Sequence, residues 1–209
     1  MVEKGFAKLP DGGATLGAIV ENTSNLVAYH TQVDFRIFDK HNRFAVAPTA
    51  QPSQQAVVGV ILPGQRIGVG RAIPLPMKSK TPGHWVAEVA KFDVQMATAR
   101  WWPVDTTARA TFRPVITTYQ QTKRSPQNVA EILYSVESPL CRTVTRDGVS
   151  VIFRDHGGSI IGGSAAPGGT CAPGKRNERV FGPKMPTSVD DRKTTVYAYC
   201  DLLGVRSSS

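Results

Sequence analysis

Three cysteines, Cys141, Cys171 and Cys200, are the residues of this 209-residue chain best suited to chemistry. A thiol pair can be oxidised, and a thiolate can hold a metal or act as a nucleophile. Reading the C-terminal half as an antiparallel meander puts all three at one pole. The strand over 129–136 runs up to the loop holding Cys141, the next returns, and the loop holding Cys171 and the closing strand over 194–202 come back to the same end. A disulfide is the leading expectation. Cys141–Cys171 is the favoured pair, because both are read in loops, where the geometry of a bridge is easiest to reach. Cys200 follows Val196 and Ala198 in the alternation and is expected to point inward as a buried thiol, with its pairing to either loop cysteine left open. Such a bond implies an oxidising compartment. The rivals are three unbonded thiols in a cytosolic protein and a zinc site. Zinc wants a fourth ligand and a closely spaced cysteine pair, and the sequence offers no such pair, so no metal or other cofactor is expected.

The remaining candidates read as structural. His30 falls on the outward face of a strand, His41 and His156 in hairpin turns, and His84 in a loop after Pro82-Gly83. No Gly-x-Ser-x-Gly nucleophile elbow accompanies them, although a triad assembled in space leaves no local signature. Asp39 and Asp155 occupy turns, where a carboxylate can accept backbone N–H groups. Asp190-Asp191 precede Arg192-Lys193 as balanced charge on a solvated turn. The pairs Gly157-Gly158, Gly162-Gly163 and Gly168-Gly169 lack the Gly-Lys-Ser/Thr of a phosphate loop and are read as hairpin and loop glycines. One long loop stands apart. Arg71, Ile73, Leu75, Met77, Lys78 and Lys80 lie in a basic, proline-punctuated stretch and form the expected contact surface, since loops on a rigid scaffold are where binding commonly resides.

The elements that must position these residues are strands. Between Val27 and Ile37 the odd positions read Val27, Tyr29, Thr31, Val33, Phe35 and Ile37, and the even positions are mostly polar, as in a strand with one buried face. The stretch Val33–Asp39 recurs in altered form as Val149–Asp155, 116 positions later, and the same offset superposes Val20-Glu21 on Val136-Glu137. A chain that repeats itself is built from copies of one unit. Further strands are expected over 4–9, 15–21, 86–96, 111–119, 129–136 and 194–202, with Pro63-Gly64 and Pro173-Gly174 as breaks. Fifteen prolines and nineteen glycines scattered between short strands fit an all-β fold of two immunoglobulin-like antiparallel sandwiches in tandem. The boundary is placed at residues 103/104, giving domains 1–103 and 104–209. The pair Trp101-Trp102 at that junction is read either as part of an interdomain contact or, with the third tryptophan, as one Trp in each core and one on the surface.

These residues also resemble a known family. Gly17-Ala18-Ile19-Val20-Glu21-Asn22-Thr23-Ser24, then Phe35-Arg36-Ile37-Phe38-Asp39, then Leu62-Pro63-Gly64 follow the outline of FxLYD-type domains of prokaryotic envelope proteins. The second copy, Val136-Glu137-Ser138-Pro139, Val151-Ile152-Phe153-Arg154-Asp155 and Ala172-Pro173-Gly174, is more distant: it lacks the Asn and carries Arg154 in place of an aromatic. The resemblance implies small immunoglobulin-like sandwiches on secreted or lipid-anchored bacterial proteins, with no catalytic residues to carry over.

Charge sets the remaining bounds. The formal charge of +9 is spread evenly, +5 over residues 1–118 and +4 over 119–209, with no basic run longer than a pair. A dedicated nucleic-acid binder concentrates its charge on one face, so nucleic acid is not the expected partner. No stretch of about 18 apolar residues suggests a membrane span. The start Val2-Glu3-Lys4-Gly5-Phe6 is in mid-pattern, as expected of a chain whose signal or anchor segment lies elsewhere, though a cytoplasmic protein would begin the same way. The expected function is a non-enzymatic, extracytoplasmic binding or structural module of a bacterial envelope, recognising a protein or envelope polymer through loops or strand edges. The alternatives are a cationic surface for anionic polymer or lipid headgroups, and a hydrolytic enzyme with a site assembled in space.

Overall fold

A computed structural model describes residues 2–9, 13–45, 54–73, 89–104, 114–125 and 129–202. The chain is all-β. Its strands are β1 (Glu3–Lys8), β2 (Ala14–Glu21), β3 (Leu26–Phe38), β4 (Gln55–Ile61), β5 (Arg66–Ile73) and β6 (Lys91–Pro103), followed by β7 (Ile116–Arg124), β8 (Ala130–Ser138), β9 (Val144–Arg154), β10 (Ile160–Cys171), β11 (Gly174–Phe181) and β12 (Thr195–Cys200). A 3-10 turn at Asp191–Lys193 precedes β12.

All pairings are antiparallel, and they repeat. The first six strands form sheets ordered β1-β2-β5 and β4-β3-β6; the second six form β7-β8-β11 and β10-β9-β12, the same two patterns. The repeated aspartates do the same job in both halves. The Asp39 carboxylate accepts the N–H groups of His41 and Arg43, and that of Asp155 accepts the N–H of Ser159, the equivalent of Arg43. Each turn needs a left-handed residue three positions on, supplied by Asn42 (φ 67°) and Gly158 (φ 89°), residue types that tolerate that region.

Side-chain clusters define a stack of layers. Leu16, Ala18 and Val20 of β2 meet Val33, Phe35 and Ile37 of β3 in one core. Ile132, Tyr134 and Val136 of β8 meet Val149, Val151 and Phe153 of β9 in another. Between them, sheet β1-β2-β5 lies directly against sheet β10-β9-β12, with Ile19, Ile152 and Ile160 in contact. Sheets ordinarily pack about 10 Å apart, but glycines bring these two closer. A Cβ on Gly17 would sit 2.3 Å from the Gly162 carbonyl oxygen, and one on Gly70 would sit 2.6 Å from the Val151 oxygen. Hydrogen bonds cross the same junction. Thr15 Oγ1 donates to Gly163 O (2.5 Å) and accepts its N–H (2.8 Å), while the buried Tyr199 hydroxyl lies 2.6 Å from both Gly68 O and Ser150 Oγ.

Several expectations change here. Gly162-Gly163 and Gly168-Gly169 are not loop glycines: β10 runs through all four. Gly162 and Gly163 lie at the junction, where a Cβ would come within 2.6 Å of Thr15 and 2.7 Å of Gly70, while exposed Gly168 lies against the Arg146 carbonyl of neighbouring β9. The even alternation of β3 also breaks at His30, a non-glycine residue at φ 52°. Val33, Phe35, Ile37 and Ala28 face the first core, whereas Val27 and Tyr29 face a separate cluster with Val144, Cys171, Cys200 and Leu202. The closing strand of the first half lies later than expected, over Lys91–Pro103, and carries both tryptophans. Trp101 and Trp102 are 50% and 39% exposed, so neither is a core residue.

The disulfide is present but differently paired. Cys171 is bonded to Cys200, with Cα atoms 6.0 Å apart, and Cys141 is an exposed free thiol. The expected Cys141–Cys171 bridge placed Cys171 in a loop. It is instead the last residue of β10, as Cys200 is of β12, and those strands flank the start of β9. The register shift between Tyr199 and Cys200 brings the two strand ends within bridging distance. Among the described residues no helix is long and apolar enough to cross a membrane, and the disulfide is compatible with an oxidising compartment.

Candidate functional site

The second sheet pattern leaves an opening in the first half. Strand β1 begins at Glu3, opposite Ile19, and Val2 N–H adds one bond to Ile19 O. Strand β2 continues to Glu21, so among the described residues Val20 and Glu21 have no strand beside them on the β1 side. Across from them runs β6, the outer strand of its sheet. The result is a groove of about 420 Å³ between β2, the Asn22–Ser24 turn and β6.

Its lining is mostly apolar or already satisfied. Val20, Ala28 and Ile61 line it together with Met96 and Trp101 of β6, which are 46% and 50% exposed. Asn22 builds the turn: its Nδ2 donates to Leu26 O (2.7 Å) and Ile61 O (2.9 Å), and its Oδ1 accepts from Ser24 N (3.1 Å) and Ser24 Oγ (2.7 Å). Thr31 and Thr98 bond each other at 3.2 Å. Glu21 is the single ionisable side chain in the lining. One carboxylate without a second titratable group suits no general acid–base pair. An exposed indole and thioether over an apolar floor suit the burial of an apolar or aromatic group.

A second cluster of chemistry-bearing residues lies where the two halves meet. His30 stacks on Tyr29 with ring centroids 4.1 Å apart. Burial, then the charge of the hydrogen-bonded Asp201, raises the Tyr29 phenol above its ordinary value. Asp147 is pushed up by desolvation and by Asp201, with His30 pulling the other way. Gly59 leaves room for it, since a Cβ there would lie 2.6 Å from Asp147 Oδ2. No group of three His, Cys, Asp or Glu suited to a metal occurs among the described residues. The cluster joins the strained His30 row of the first half to the second.

The expected contact residues fall elsewhere. Arg71 and Ile73 belong to β5, and Ile73 is buried in the first core, because the strand continues to the residue before Pro74. Burial lowers the Arg71 guanidinium below its ordinary value, and its Nε has no hydrogen-bond partner among the described residues. Leu75, Met77, Lys78 and Lys80 lie outside the described residues, as does His84. His41 and His156 are in turns, where His156 Nδ1 lies 3.2 Å from Asp190 Oδ2. Many cations are paired: Lys4 with Asp93, Arg43 with Asp39, Arg124 with Asp191, Arg179 with Glu131, Arg146 with Glu178, and both Arg66 and Arg154 with Glu3. The groove went unread in the sequence because β4 was not recognised and β6 was placed too early. Its one visible signal was the Trp-Trp pair.

Comparison with known families finds no family model that matches the chain, and no curated protein matches it. The class defined by the fold is an antiparallel all-β protein.

Proposed function

We propose that this protein is a non-enzymatic binding module of a bacterial cell envelope, working outside the cytoplasm, and that the groove walled by Trp101 and Met96 is its recognition site. The observation that carries the reading is that groove: an aromatic-rimmed, apolar recess held by a rigid turn and two strands, with one carboxylate in its lining. Binding sites are typically concave and mostly apolar, with few polar groups. The location rests on the disulfide and on the FxLYD-type outline, whose members are envelope proteins. The even spread of the +9 charge, +5 over residues 1–118 and +4 over 119–209, weighs against the anionic-polymer alternative, because a dedicated polyanion binder concentrates its charge on one face.

The test is NMR mapping with ¹⁵N-labelled protein, the Trp101 indole signal being assigned through Trp101→Phe. Peptides, oligosaccharides and polyanions are titrated in turn. The reading expects the Trp101 indole and the Thr98 and Asn22 amides to move together with one ligand class. Movement confined to the His30–Asp147 region, or to lysine- and arginine-bearing faces with polyanions, would sink it.

A further inference from the structure

The turn after β3 has a counterpart in the second half, and the two are put to different use. Under the 116-residue offset Phe44 corresponds to Ile160, Phe38 to Arg154 and Arg36 to Ile152. Ile160 is 7% exposed and packs with Ile19 and Ile152 at the junction. Phe44 is 55% exposed. Its ring stacks on Phe38 with centroids 5.2 Å apart, and the Asp39 carboxylate fixes the turn that carries it. Lys40, His41, Asn42 and Arg43, which lead up to it, are all exposed.

Cations gather around the ring pair. The Arg36 guanidinium lies 5.4 Å from the Phe44 centroid and 6.0 Å from that of Phe38, and Lys91 Nζ lies 5.5 Å from Phe38. Asp93 pairs with Arg36 across the strands. The hydrogen bond and charge of Lys4, then the charges of Lys91 and Arg36, hold its carboxyl below the ordinary value against a desolvation that raises it. Three cations thus share one carboxylate. Asp39 is taken by Arg43, and Asp34 accepts from Gln32. Setting Lys4, Arg36, Lys40, Arg43 and Lys91 against Asp34, Asp39 and Asp93 leaves this end of the sheet at +2. Where the second half turns an aliphatic residue onto a protein sheet, the first presents an aromatic one among surplus positive charge.

We propose that this turn docks onto an anionic membrane surface, with Phe44 entering the headgroup region while Arg36, Lys40 and Lys91 meet lipid phosphates. The site lies at the far end of β3 from the Asn22–Ser24 turn of the groove and goes beyond the reading given above. Two features favour a membrane over a charged polymer. A surplus of +2 is small for tracking a polyanion, whose hold comes from many phosphate contacts. It suffices when an apolar group enters the interface alongside it, since peripheral membrane attachment combines the two. The ring also ends a run of five exposed residues, Lys40 to Phe44, which suits a soft surface into which a protruding side chain can sink, with aromatic and basic groups at headgroup level.

The test is flotation of the whole chain with phosphatidylcholine vesicles, with and without phosphatidylglycerol. Binding is expected only to the anionic vesicles and should weaken as salt is raised. Lys40→Gln/Lys91→Gln should lower it about 25-fold, at about fivefold for each cation near a membrane surface. Phe44→Ser should lower it about fivefold or more, as for an apolar side chain withdrawn from the interface. Lys175→Gln/Arg176→Gln removes the same charge from exposed positions of β11 and should change binding by less than about twofold, because distant charges are screened. All three variants alter exposed side chains and should melt near the parent. An equal fall in the two double variants would reduce the effect to overall charge and overturn the proposal. Vesicle binding by Phe44→Ser equal to the parent's would remove the inserted ring, and the docking claim with it. Vesicles that float without protein at low salt would overturn it outright. A single-stranded oligonucleotide then bound by the parent but not by Lys40→Gln/Lys91→Gln would give the surface to nucleic acid.

Discussion

The two halves share their strand order but present opposite sheets to each other. The first half turns its β1-β2-β5 sheet inward, whereas the second turns its β10-β9-β12 sheet, so the equivalent strand is buried on both faces in one copy and half-solvated in the other. The altered residues of the repeat follow from this. Val33, Phe35 and Ile37 correspond to Val149, Val151 and Phe153, and all six fill sandwich cores. The positions between them diverge. Asp34, Arg36 and Phe38 are partly exposed in β3, while Ser150, Ile152 and Arg154 meet the junction in β9. Ile152 packs on Ile19, Ser150 Oγ bonds the Tyr199 hydroxyl and accepts the Gly70 N–H, and Arg154 reaches Glu3. In the other pair of strands the contrast reverses: Thr15, Gly17 and Ile19 of β2 are buried at the junction, while at the equivalent positions of β8 Glu131 and Leu133 are partly exposed and only Ser135 is buried. Core positions keep the repeat, and outer positions record which face was covered.

Exchanging residues between copies is the most severe test of that contrast. Ile152→Arg, which installs the first-half residue in the second, places an unpaired charge in a dry junction and should cost about 4 kcal/mol or more. The reciprocal Arg36→Ile touches a solvated face and should stay within about 0.5 kcal/mol, although it removes a cation 5.4 Å from the Phe44 ring. Urea unfolding of the two variants gives the comparison directly. Equal costs would mean that the two sheets are not differently covered.

The halves also differ in covalent support. Cys171–Cys200 closes a 29-residue loop in the second half, for which loss of chain entropy in the unfolded state predicts about 3.5 kcal/mol. The double variant Cys171→Ser/Cys200→Ser should lose that amount. Thiol titration of denatured, unreduced protein should find one thiol per chain, mapped to Cys141. A reactive Cys200 with a Cys141–Cys171 peptide would reverse the pairing.

Much of the fold is legible in the sequence because it resides in period-two alternation and turn chemistry, both local. Val33, Phe35 and Ile37 announce a buried face, and Asp39 and Asp155 announce turns whose carboxylates do accept backbone N–H groups. What was not legible depends on non-local contact. Gly162-Gly163 look like a loop because nothing local says that another sheet's backbone fills the space above them. Cys171 looks like a loop residue for the same reason, which misdirected its pairing. The site was hidden twice over: a groove between two sheets leaves no residue pattern of its own, and Trp101-Trp102 signalled exposure only once β6 was known to run through them.

Two smaller perturbations probe the junction bond by bond. Tyr199 corresponds in register to the exposed Ala97 of β6, so its hydroxyl serves only the junction. Tyr199→Phe leaves Gly68 O without its donor and Ser150 Oγ without its phenol partner, and should cost about 1–2 kcal/mol. Ala97→Ser, at the equivalent solvated position, should change stability by less than about 0.5 kcal/mol. If Tyr199→Phe proves neutral in chemical denaturation, the hydroxyl contributes nothing net and the junction is held by packing alone.

Glu3 tests the junction through pH. The hydrogen bond from Arg154, across the junction, and then the charges of Arg154 and Arg66 hold its carboxyl below the ordinary value, against a partial desolvation that raises it. A depressed carboxylate favours the folded state while it is ionised. Its contribution is therefore full above the ordinary value of 4.5 and is lost as pH falls through the lower folded-state value. The Glu3 side chain is 39% exposed, so solvent screening limits the effect to about 0.5–1 kcal/mol. Glu3→Gln should lower the melting temperature at pH 7, and the gap to the parent should close as the pH falls below 4.5. Arg66→Gln, which removes the partner on Glu3's own half, should have the smaller effect; Arg154→Gln, which removes the partner across the junction, the larger. A gap between Glu3→Gln and the parent that is independent of pH would mean that Glu3 acts through packing, and that its charge does not hold the halves together.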